Sequence, residues 1–186
     1  DNTVKVWSVE SGECVTTFEG HSDYVTSVSF SPDGASIVSG SGDKTVKVWS
    51  VESGECVTTF EGHSDYVTSV SFSPDGASIV SGSGDKTVKV WSVESGECVT
   101  TFEGHSSYVT SVSFSPDGAS IVSGSSDNTV KVWSVESGEC VTTFEGHSSY
   151  VTSVSFSPDG ASIVSGSSDN TVKVWSVESG ECVTTF

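Results

Sequence analysis

Three polar residue types, Ser, His and Asp, recur at a fixed spacing that could support chemistry. The first set is Ser39, His21 and Asp43, and an equivalent set follows every 42 residues. These are the residue types of a hydrolase triad, in which a His activates the Ser hydroxyl and an Asp orients the His. A nucleophilic Ser also needs a free Oγ and an oxyanion hole. Because the chain carries four identical sets, we expect a repeated structural role and no enzymatic activity.

Cysteine is the other reactive residue type, and it occurs once in each repeat. Neither a His nor a second Cys lies at ligand spacing from any of these thiols, so we predict no metal site and no cofactor. A disulfide would have to join neighbouring repeats. We expect each Cys to be a small, reduced and largely buried apolar residue, which favours a reducing cytoplasm. The five residues are Cys14, Cys56, Cys98, Cys140 and Cys182.

The elements that position these side chains are short β-strands. Each unit has runs of Val, Ser and Thr that are interrupted by turn signals roughly ten residues apart, as expected for four strands. No window has the three- and four-residue apolar spacing of an amphipathic helix. In the first complete unit we predict strands over 24–30, 35–39, 45–51 and 55–60, separated by turns over 31–34, 40–43 and 52–54.

Four motifs recur in phase in every complete unit: Gly20-His21, Ser31-Pro32-Asp33-Gly34, Ser39-Gly40-Ser41-Gly42-Asp43 and, six residues later, Trp49. A unit with these motifs resembles the WD40 repeat. The resemblance covers the whole chain and implies an all-β fold, a β-propeller in which each repeat corresponds to a four-stranded antiparallel blade. Ser50 stands where the family has the Asp of its Trp-Asp dipeptide, and this departure removes one carboxylate after the third strand.

The resemblance also implies a buried hydrogen-bond relay in each blade. In the family, a Trp N–H donates to a Ser hydroxyl, which bonds to a His that is oriented by an Asp. Such a relay caps the Ser Oγ, which argues against a nucleophilic role. Carried over residue by residue, the relays are Trp49, Ser39, His21 and Asp43; Trp91, Ser81, His63 and Asp85; Trp133, Ser123, His105 and Asp127; and Trp175, Ser165, His147 and Asp169.

The chain divides into one partial and four complete units, which together make one propeller unit. Residues 1–18 correspond to the third and fourth strands of a blade, so Asp1 and Trp7 have no His or Ser of their own to join. We expect roughly 24 further residues to precede Asp1 in the parent sequence, because a unit has 42 residues and this one has 18. Complete blades are predicted over 19–60, 61–102, 103–144 and 145–186.

The few differences between units fall on two loops at the same end of each blade. The first two units carry an Asp before the first strand and a Lys in the second turn, where the last two carry Ser and Asn. An ion pair between Asp23 and Lys44 would explain why acid and base are lost together, but exposed pairs contribute little, so drift of relaxed loops is the favoured explanation. The loops that could bind a partner are marked by Asp23, Lys44, Asp65, Lys86, Ser107, Asn128, Ser149 and Asn170.

The charge of the chain excludes several classes of partner. It carries 25 acidic and 7 basic residues, for a net charge of −18, and no Arg. Phosphate would be repelled, so we expect no nucleic-acid binding. Anionic membrane surfaces are disfavoured for the same reason, and no apolar run approaches the length of a membrane span.

An open row of blades leaves one partly apolar sheet face uncovered at each end. A second chain could cover both faces by closing a ring, and the association cost of about 4–15 kcal/mol is then incurred once for two junctions. We therefore predict a homodimer. Four complete blades per chain give a ring of eight, whereas pooling the two partial units gives nine, and both numbers stay open.

Two functions are consistent with these observations. The first is a non-enzymatic WD40 β-propeller scaffold that closes its ring by homo-oligomerisation, as an engineered or recently amplified repeat protein. The second is a protein–protein docking module that binds a protein or peptide partner through the loop face. The second follows from the resemblance, because WD40 propellers generally act as docking surfaces. Units this alike offer a partner little individuality, which favours the first.

Overall fold

The chain consists of short β-strands joined by tight turns. The computed structural model describes residues 1–186 and contains 18 strands and no helix. The strands are β1 (Thr3–Trp7), β2 (Cys14–Glu19), β3 (Val25–Phe30), β4 (Ser36–Ser41), β5 (Val46–Ser50), β6 (Cys56–Phe60), β7 (Val67–Phe72), β8 (Ser78–Ser83), β9 (Val88–Ser92), β10 (Cys98–Phe102), β11 (Val109–Phe114), β12 (Ser120–Ser125), β13 (Val130–Ser134), β14 (Cys140–Phe144), β15 (Val151–Phe156), β16 (Ser162–Ser167), β17 (Val172–Ser176) and β18 (Cys182–Thr185).

These strands form four 4-stranded antiparallel sheets and one 2-stranded sheet. We call the pair β1–β2 the half-blade and the sheets β3–β6, β7–β10, β11–β14 and β15–β18 the first to fourth blades. Within every blade the strands pair in chain order. The all-β fold class predicted from the sequence is confirmed, because each blade is a meander of four short strands. No helix of a length and apolarity able to cross a membrane occurs in the chain.

The second strand of each blade is longer than predicted. The turn signals predict an end at Ser39 and a turn over 40–43, but β4 continues to Ser41 and Gly40 pairs with Val46 on β5. The reason is a close approach between blades. A Cβ on Gly40 would lie 2.6 Å from Val67 Cγ1 of the second blade, so this glycine serves packing and not a turn.

Neighbouring blades bury one apolar core at each junction. Between the first two blades, β4, β5 and β6 contribute Val and Phe side chains that pack against β7, β8 and the Trp of β9. Because each strand alternates its side chains between two faces, both faces of an internal blade carry core residues. The buried residues of this first junction are Val38, Val46, Val48, Phe60, Val67, Val70, Phe72, Ile79 and Trp91.

The two ends of the row of blades differ from the internal junctions. On the fourth blade, Val164, Val172 and Phe186 are 40%, 41% and 74% exposed, whereas their equivalents in the first three blades are at most 1% exposed. At the other end the half-blade covers Ile37 and Trp49, but Val28 and Phe30 on β3 remain 54% and 53% exposed. Each end therefore presents apolar side chains that an internal blade keeps buried.

The predicted burial of the cysteines is wrong. All five thiols are free and exposed. They begin the outermost strand of each sheet, where the register shifts opposite the Trp, as between Val48 and Trp49 opposite Cys56. Only the Phe at the end of that strand is buried, because the strand lies at the free edge of the sheet and neither face is covered near its start.

Candidate functional site

The structure brings together the four side chains of each predicted relay. In the first blade, Trp49 Nε1 donates to Ser39 Oγ at 2.8 Å, and Ser39 Oγ lies 2.7 Å from His21 Nε2. His21 Nδ1 lies 2.8 Å from Asp43 Oδ2. These residues come from the loop before β3, from β4, from the turn after it and from β5. The relay therefore ties the entry loop of a blade to its second and third strands.

The same geometry recurs in the other three blades, which makes the relay a property of the repeat. The Trp–Ser distance is 2.7–2.8 Å, the Ser–His distance is 2.7–2.8 Å and the His–Asp distance is 2.7–2.8 Å. All four His residues and all four Ser residues of the relays are buried. Such a constant arrangement indicates that each blade satisfies its buried polar groups in the same way.

The donors and acceptors of the relay require a neutral imidazole. Ser39 Oγ accepts the indole N–H of Trp49, so its own hydrogen is directed to His21 Nε2. His21 must then carry its hydrogen on Nδ1 and donate it to Asp43. A protonated His21 would place two donors on Ser39 Oγ and leave the hydroxyl hydrogen without an acceptor. The structure therefore assigns the Nδ1–H tautomer to His21.

The pKa values of His21 and Asp43 are both lowered, but by different causes. Burial lowers the pKa of His21 from 6.5, although the hydrogen bond and charge of Asp43 oppose this effect. Burial alone would raise the pKa of Asp43, but hydrogen bonds from Thr45, His21 and Ser22 outweigh it and lower that pKa to about 2. The pair thus stays as a neutral imidazole beside a carboxylate near neutral pH.

Asp43 is the residue through which the relay fixes the loops. Its Oδ2 also accepts the backbone N–H of Ser22 at 3.0 Å, which anchors the entry loop. Its Oδ1 accepts the backbone N–H and the hydroxyl of Thr45 at 3.0 and 2.7 Å, which closes the turn before β5. Asp43 therefore stabilises the turn as well as orienting the imidazole.

A phenylalanine that recurs once in every unit completes the site, and it is not among the residues predicted for the site. Phe18, the buried end of the half-blade, packs on Trp49 with ring centroids 5.8 Å apart. In the next junction Phe60 packs on Trp91 at 5.5 Å. The relay of one blade is thus covered by the preceding sheet. A Phe at the end of every fourth strand, once per 42 residues, was the available signal.

The geometry of the relay does not suit nucleophilic catalysis. Ser39 is 0% exposed, and its Oγ already bonds to both Trp49 and His21. A substrate carbonyl would need to displace the indole to reach that oxygen. No group of three or more His, Cys, Asp and Glu side chains is arranged to hold a metal ion either. The arrangement can order a blade, and it presents no reactive atom to solvent.

The two variable loops lie side by side, but Asp23 and Lys44 do not form the ion pair that would explain their joint loss. Gly42 N donates to Tyr24 O at 2.8 Å, which joins the turn to the entry loop. Asp23 Oδ1 accepts the backbone N–H of Tyr24, and Lys44 Nζ donates to Ser64 O in the second blade at 3.1 Å. Each charged group has a separate backbone partner, so no ion pair explains why Asp and Lys are lost together.

Backbone conformation explains part of the variation instead. Lys44, Lys86, Asn128 and Asn170 are the non-glycine residues with positive φ, and all lie at 70–73°. Asn tolerates this left-handed conformation better than Lys does. The Lys-to-Asn difference therefore relieves backbone strain in the last two units.

The neighbouring Gly-to-Ser difference lies beside an aromatic ring. A Cβ on Gly42 would lie 2.8 Å from Tyr24 Cε1, so the glycine leaves room for the ring. Units with Ser at this position must place the ring differently. The tyrosines form a partly exposed row beside the loops, and Tyr66 and Tyr108 contact each other edge to face at 5.8 Å. The row consists of Tyr24, Tyr66, Tyr108 and Tyr150.

Four-stranded blades, each with an internal Trp–Ser–His–Asp relay, define a repeat protein of the β-propeller type. The family model described as WD domain, G-beta repeat, matches residues 12–50, 54–92, 96–134 and 138–176. Because these matches cover most of the chain, the protein belongs to the WD40 family. Members of this family generally serve as non-enzymatic scaffolds for protein interactions.

The chain is also similar to short stretches of two fungal proteins. Nuclear distribution protein PAC1 of Coccidioides posadasii (strain C735) is 46% identical over 44 residues, which is 24% of this chain and 9% of that protein. Nuclear distribution protein PAC1 of Mycosarcoma maydis is 41% identical over 39 residues, which is 21% of this chain and 9% of that protein. The matched stretch thus spans about a tenth of each relative.

Proposed function

We propose that the protein is a non-enzymatic WD40 scaffold whose blades close into a ring with a second copy of the chain. The observation that carries this proposal is the contrast between equivalent side chains. Val172 is 41% exposed on the fourth blade, whereas Val46, Val88 and Val130 are fully buried against the next blade. Since burial of apolar surface is the main force in association, a second copy that supplies the next blade is the expected partner.

The polar groups at the two ends could form the hydrogen bonds that neighbouring blades form at an internal junction. At the first internal junction, Thr26 Oγ1 donates to Val67 O at 2.6 Å and Val70 N donates to Ser27 Oγ at 3.1 Å. On the fourth blade Thr152 Oγ1 bonds only within its own blade. The fourth blade therefore has the Thr and Ser side chains of these two hydrogen bonds, and the first blade has their backbone partners. The unmatched positions are Thr152 and Ser153 at one end and Val25 and Val28 at the other.

A head-to-tail contact of this kind gives a closed ring when it is made twice, so two copies form two identical junctions. Four complete blades from each copy give a ring of eight. When both half-blades are included, the two copies have as many strands as nine blades contain. Both ring sizes belong to the proposal, but they differ in the junction: in the ring of eight, Val172 and Phe186 of one copy take the places of Val4 and Phe18 on the first blade of the other, so the half-blade must leave that face.

The experiment compares two valine substitutions by sedimentation velocity. Val172→Glu places a charge on the uncovered face and is expected to weaken self-association at least about tenfold. Val183→Glu is the matched control, because Val183 and its equivalents Val57, Val99 and Val141 are all 63% exposed on the outermost strands. Equal dissociation constants for both variants and the unaltered chain would refute the proposed junction.

The near-identity of the units supports a recent origin by amplification or by design. The four complete units differ at three positions, and these positions lie in the entry loop and the second turn. We also propose a reducing location such as the cytoplasm. Five exposed free thiols on one chain would cross-link copies in an oxidising compartment.

A docking function is the second candidate, and the exposed tyrosine row favours it. Tyr24, Tyr108 and Tyr150 are 50%, 45% and 58% exposed beside the variable loops. Tyr is enriched in protein interfaces because its ring is large, rigid and polar at one end. Replacement of the row by Ser should abolish capture of a defined protein or peptide from the source lysate, while Val183→Glu should not. Capture that survives the Tyr substitutions would exclude this face.

A further inference from the structure

The third and fourth strands of each blade hold an amine, a hydroxyl and a thiol in one hydrogen-bonded chain. In the first blade, Lys47 Nζ donates to Thr59 Oγ1 at 2.8 Å, and that oxygen lies 3.6 Å from Cys56 Sγ. The thiol donates its own hydrogen to Thr58 O at 3.6 Å, so the hydroxyl hydrogen of Thr59 is directed to the sulfur. The lysine nitrogen and the cysteine sulfur thus both contact the same oxygen atom.

A bulge in the outermost strand brings these side chains together. In a regular strand Cys56 and Thr59 would point to opposite faces, because they are three residues apart. The pairing of β5 with β6 shifts register next to Cys56, and Val57 is left without a partner. This extra residue turns Cys56 to the face on which Lys47 lies opposite Thr59.

The same chain of contacts recurs in the other three blades, so it is a property of the repeat. The Lys–Thr distances are 2.8, 2.9 and 3.0 Å, and the Thr–Cys distance is 3.6 Å in each. Every thiol is exposed, so a small reagent reaches it in the folded protein. These Cys–Thr–Lys clusters consist of Cys56, Thr59 and Lys47; Cys98, Thr101 and Lys89; Cys140, Thr143 and Lys131; and Cys182, Thr185 and Lys173.

We propose that the Cys–Thr–Lys clusters are sites of lysine acylation, at which the thiol takes an acyl group from a thioester and passes it to the amine. The thiol reacts first, because Cys is intrinsically very nucleophilic and part of it is thiolate near pH 7. The reagent class is the acyl thioester of a small thiol. A donor without charge suits the site best, because a chain of net charge −18 repels anions.

The two steps need no oxidant or reductant. In the first, the thiolate of Cys56 attacks the carbonyl carbon of the donor, a new C–S bond forms, and the donor leaves as a thiolate that takes up the cysteine proton. In the second, the unprotonated amine of Lys47 attacks the same carbon, so a C–N bond forms and the bond to Cys56 Sγ breaks. The proton lost by the nitrogen passes to Thr59 Oγ1, whose own hydrogen passes to the departing sulfur. The products are an amide on Lys47 and the regenerated thiol.

A second lysine in each of the first two blades shows what direct acylation would look like. Lys44 is exposed, whereas Lys47 is only half-exposed. Lys44 Nζ donates to Ser64 O of the second blade, away from the thiol of its own blade. A reagent that attacks amines directly would therefore modify Lys44 first, whereas transfer from the thiol modifies Lys47 first.

The test treats the intact chain with S-acetyl-N-acetylcysteamine, an uncharged thioester. Cleavage before Asp residues releases residues 43–64, which include Lys44, Lys47 and Cys56, and residues 85–116 from the next unit. Mass spectrometry of these peptides locates each acetyl group. Lys47 is expected to be acetylated at least about tenfold faster than Lys44, at a rate per chain that does not depend on protein concentration.

Variants of the first blade can be compared with the unaltered second blade of the same molecule. Cys56→Ser should lower acetylation of Lys47 at least about tenfold and leave that of Lys89 unchanged. Thr59 is a positioning residue, so Thr59→Val should still form the thioester on Cys56 but transfer it more slowly. Thr59→Ser keeps the hydroxyl and should restore the transfer.

Three results would overturn this inference. They are equal acetylation rates at Lys44 and Lys47, an unchanged rate at Lys47 in the Cys56→Ser chain, and a thioester on Cys56 that persists without formation of the amide. Self-association is measured separately by sedimentation. A dimer that fails to acetylate Lys47 would contradict the acylation site alone, and a monomer that acetylates it would contradict only the ring.

Discussion

Phe60 of the first blade packs on Trp91 of the second with ring centroids 5.5 Å apart, and Trp91 Nε1 donates to Ser81 Oγ at 2.8 Å. The contact between blades and the relay within a blade therefore share one indole. Loss of either interaction is expected to disturb the other, because the Trp side chain is fully buried and cannot adopt a second position without a cavity. Stability of the blade and packing of the junction are coupled at this residue.

Ser123→Ala is expected to destabilise the protein by about 1–3 kcal/mol. The substitution leaves Trp133 Nε1 without its acceptor and His105 Nε2 without its donor inside a buried site. Urea unfolding followed by circular dichroism measures the effect. Ser106→Ala is the control, because Ser106 is exposed and only its backbone N–H bonds to Asp127. A free energy of unfolding equal to that of the control would contradict a stabilising relay.

Acid is expected to destabilise the fold through the relay of the first blade. The pKa of His21 is lowered from 6.5 by burial, so the unfolded chain binds more protons than the folded one as the pH falls below that value. Hydrogen bonds that outweigh its burial lower the pKa of Asp43 from 3.8 to about 2. The free energy of unfolding therefore decreases a second time as the pH falls between these two values. Both effects have the same sign.

The measurement is the urea midpoint as a function of pH in high salt. Salt is needed because protonation also relieves the repulsion within a chain of net charge −18, and this effect would stabilise the fold on acidification. With the repulsion screened, the midpoint should fall from pH 7 toward pH 5 and fall further below pH 4. A midpoint that is level or rises over this range would show that the relay does not hold a neutral His.

Much of this architecture could be predicted from the sequence, because the repeat places turn signals and relay residues in phase. The turn over 31–34 needs a residue with positive φ, and Gly34 has φ 72°. The end of the second strand could not be predicted, because Gly40 looks like a turn residue until the neighbouring Val67 is placed beside it. A close approach between blades is a tertiary effect that a local pattern does not reveal.

The exposure of the cysteines could not be predicted for a similar reason. A Cys in a β-strand is usually buried, but Cys56 lies on the outermost strand, and only the spacing of the blades decides whether that strand is covered. Co-occurrence alone suggests an ion pair between Asp23 and Lys44 as one explanation of the variation, and it does not reveal the backbone conformation. The backbone of Lys44 is left-handed, and its side chain extends toward Ser64 of the next blade.

Lys44→Asn is expected to stabilise the chain by a few tenths of a kcal/mol, because Asn adopts positive φ at lower cost than Lys. Asn170→Lys is the matched reverse substitution and should destabilise by a similar amount. We choose Asn170 because Asn128 Oδ1 is buried without a hydrogen-bond partner, which would complicate its replacement. Thermal unfolding measures both variants. A lower melting temperature for Lys44→Asn, together with a higher one for Asn170→Lys, would contradict backbone strain as the cause.

Substitutions at two equivalent glycines are expected to distinguish an effect on folding from an effect on association. A Cβ on Gly82 would lie 2.6 Å from Val109 Cγ1, whereas a Cβ on Gly166 would have only Thr152 Oγ1 nearby at 3.8 Å. Gly82→Ala is therefore expected to destabilise folding by about 1–3 kcal/mol. Gly166→Ala should leave the unfolding of the dilute monomer nearly unchanged but weaken association, because the second copy must place Val25 against it. If Gly166→Ala leaves the dissociation constant unchanged, the fourth blade does not form the junction.

The most direct test of the central claim is the mass of the unaltered chain in solution. The exposed Val164 and Phe186 at one end and Val28 and Phe30 at the other are expected to be covered by a second copy. Sedimentation equilibrium at micromolar concentration should therefore give twice the 19.3 kDa of one chain. A folded, soluble species that stays at 19.3 kDa over the whole concentration range would contradict ring closure by a second copy.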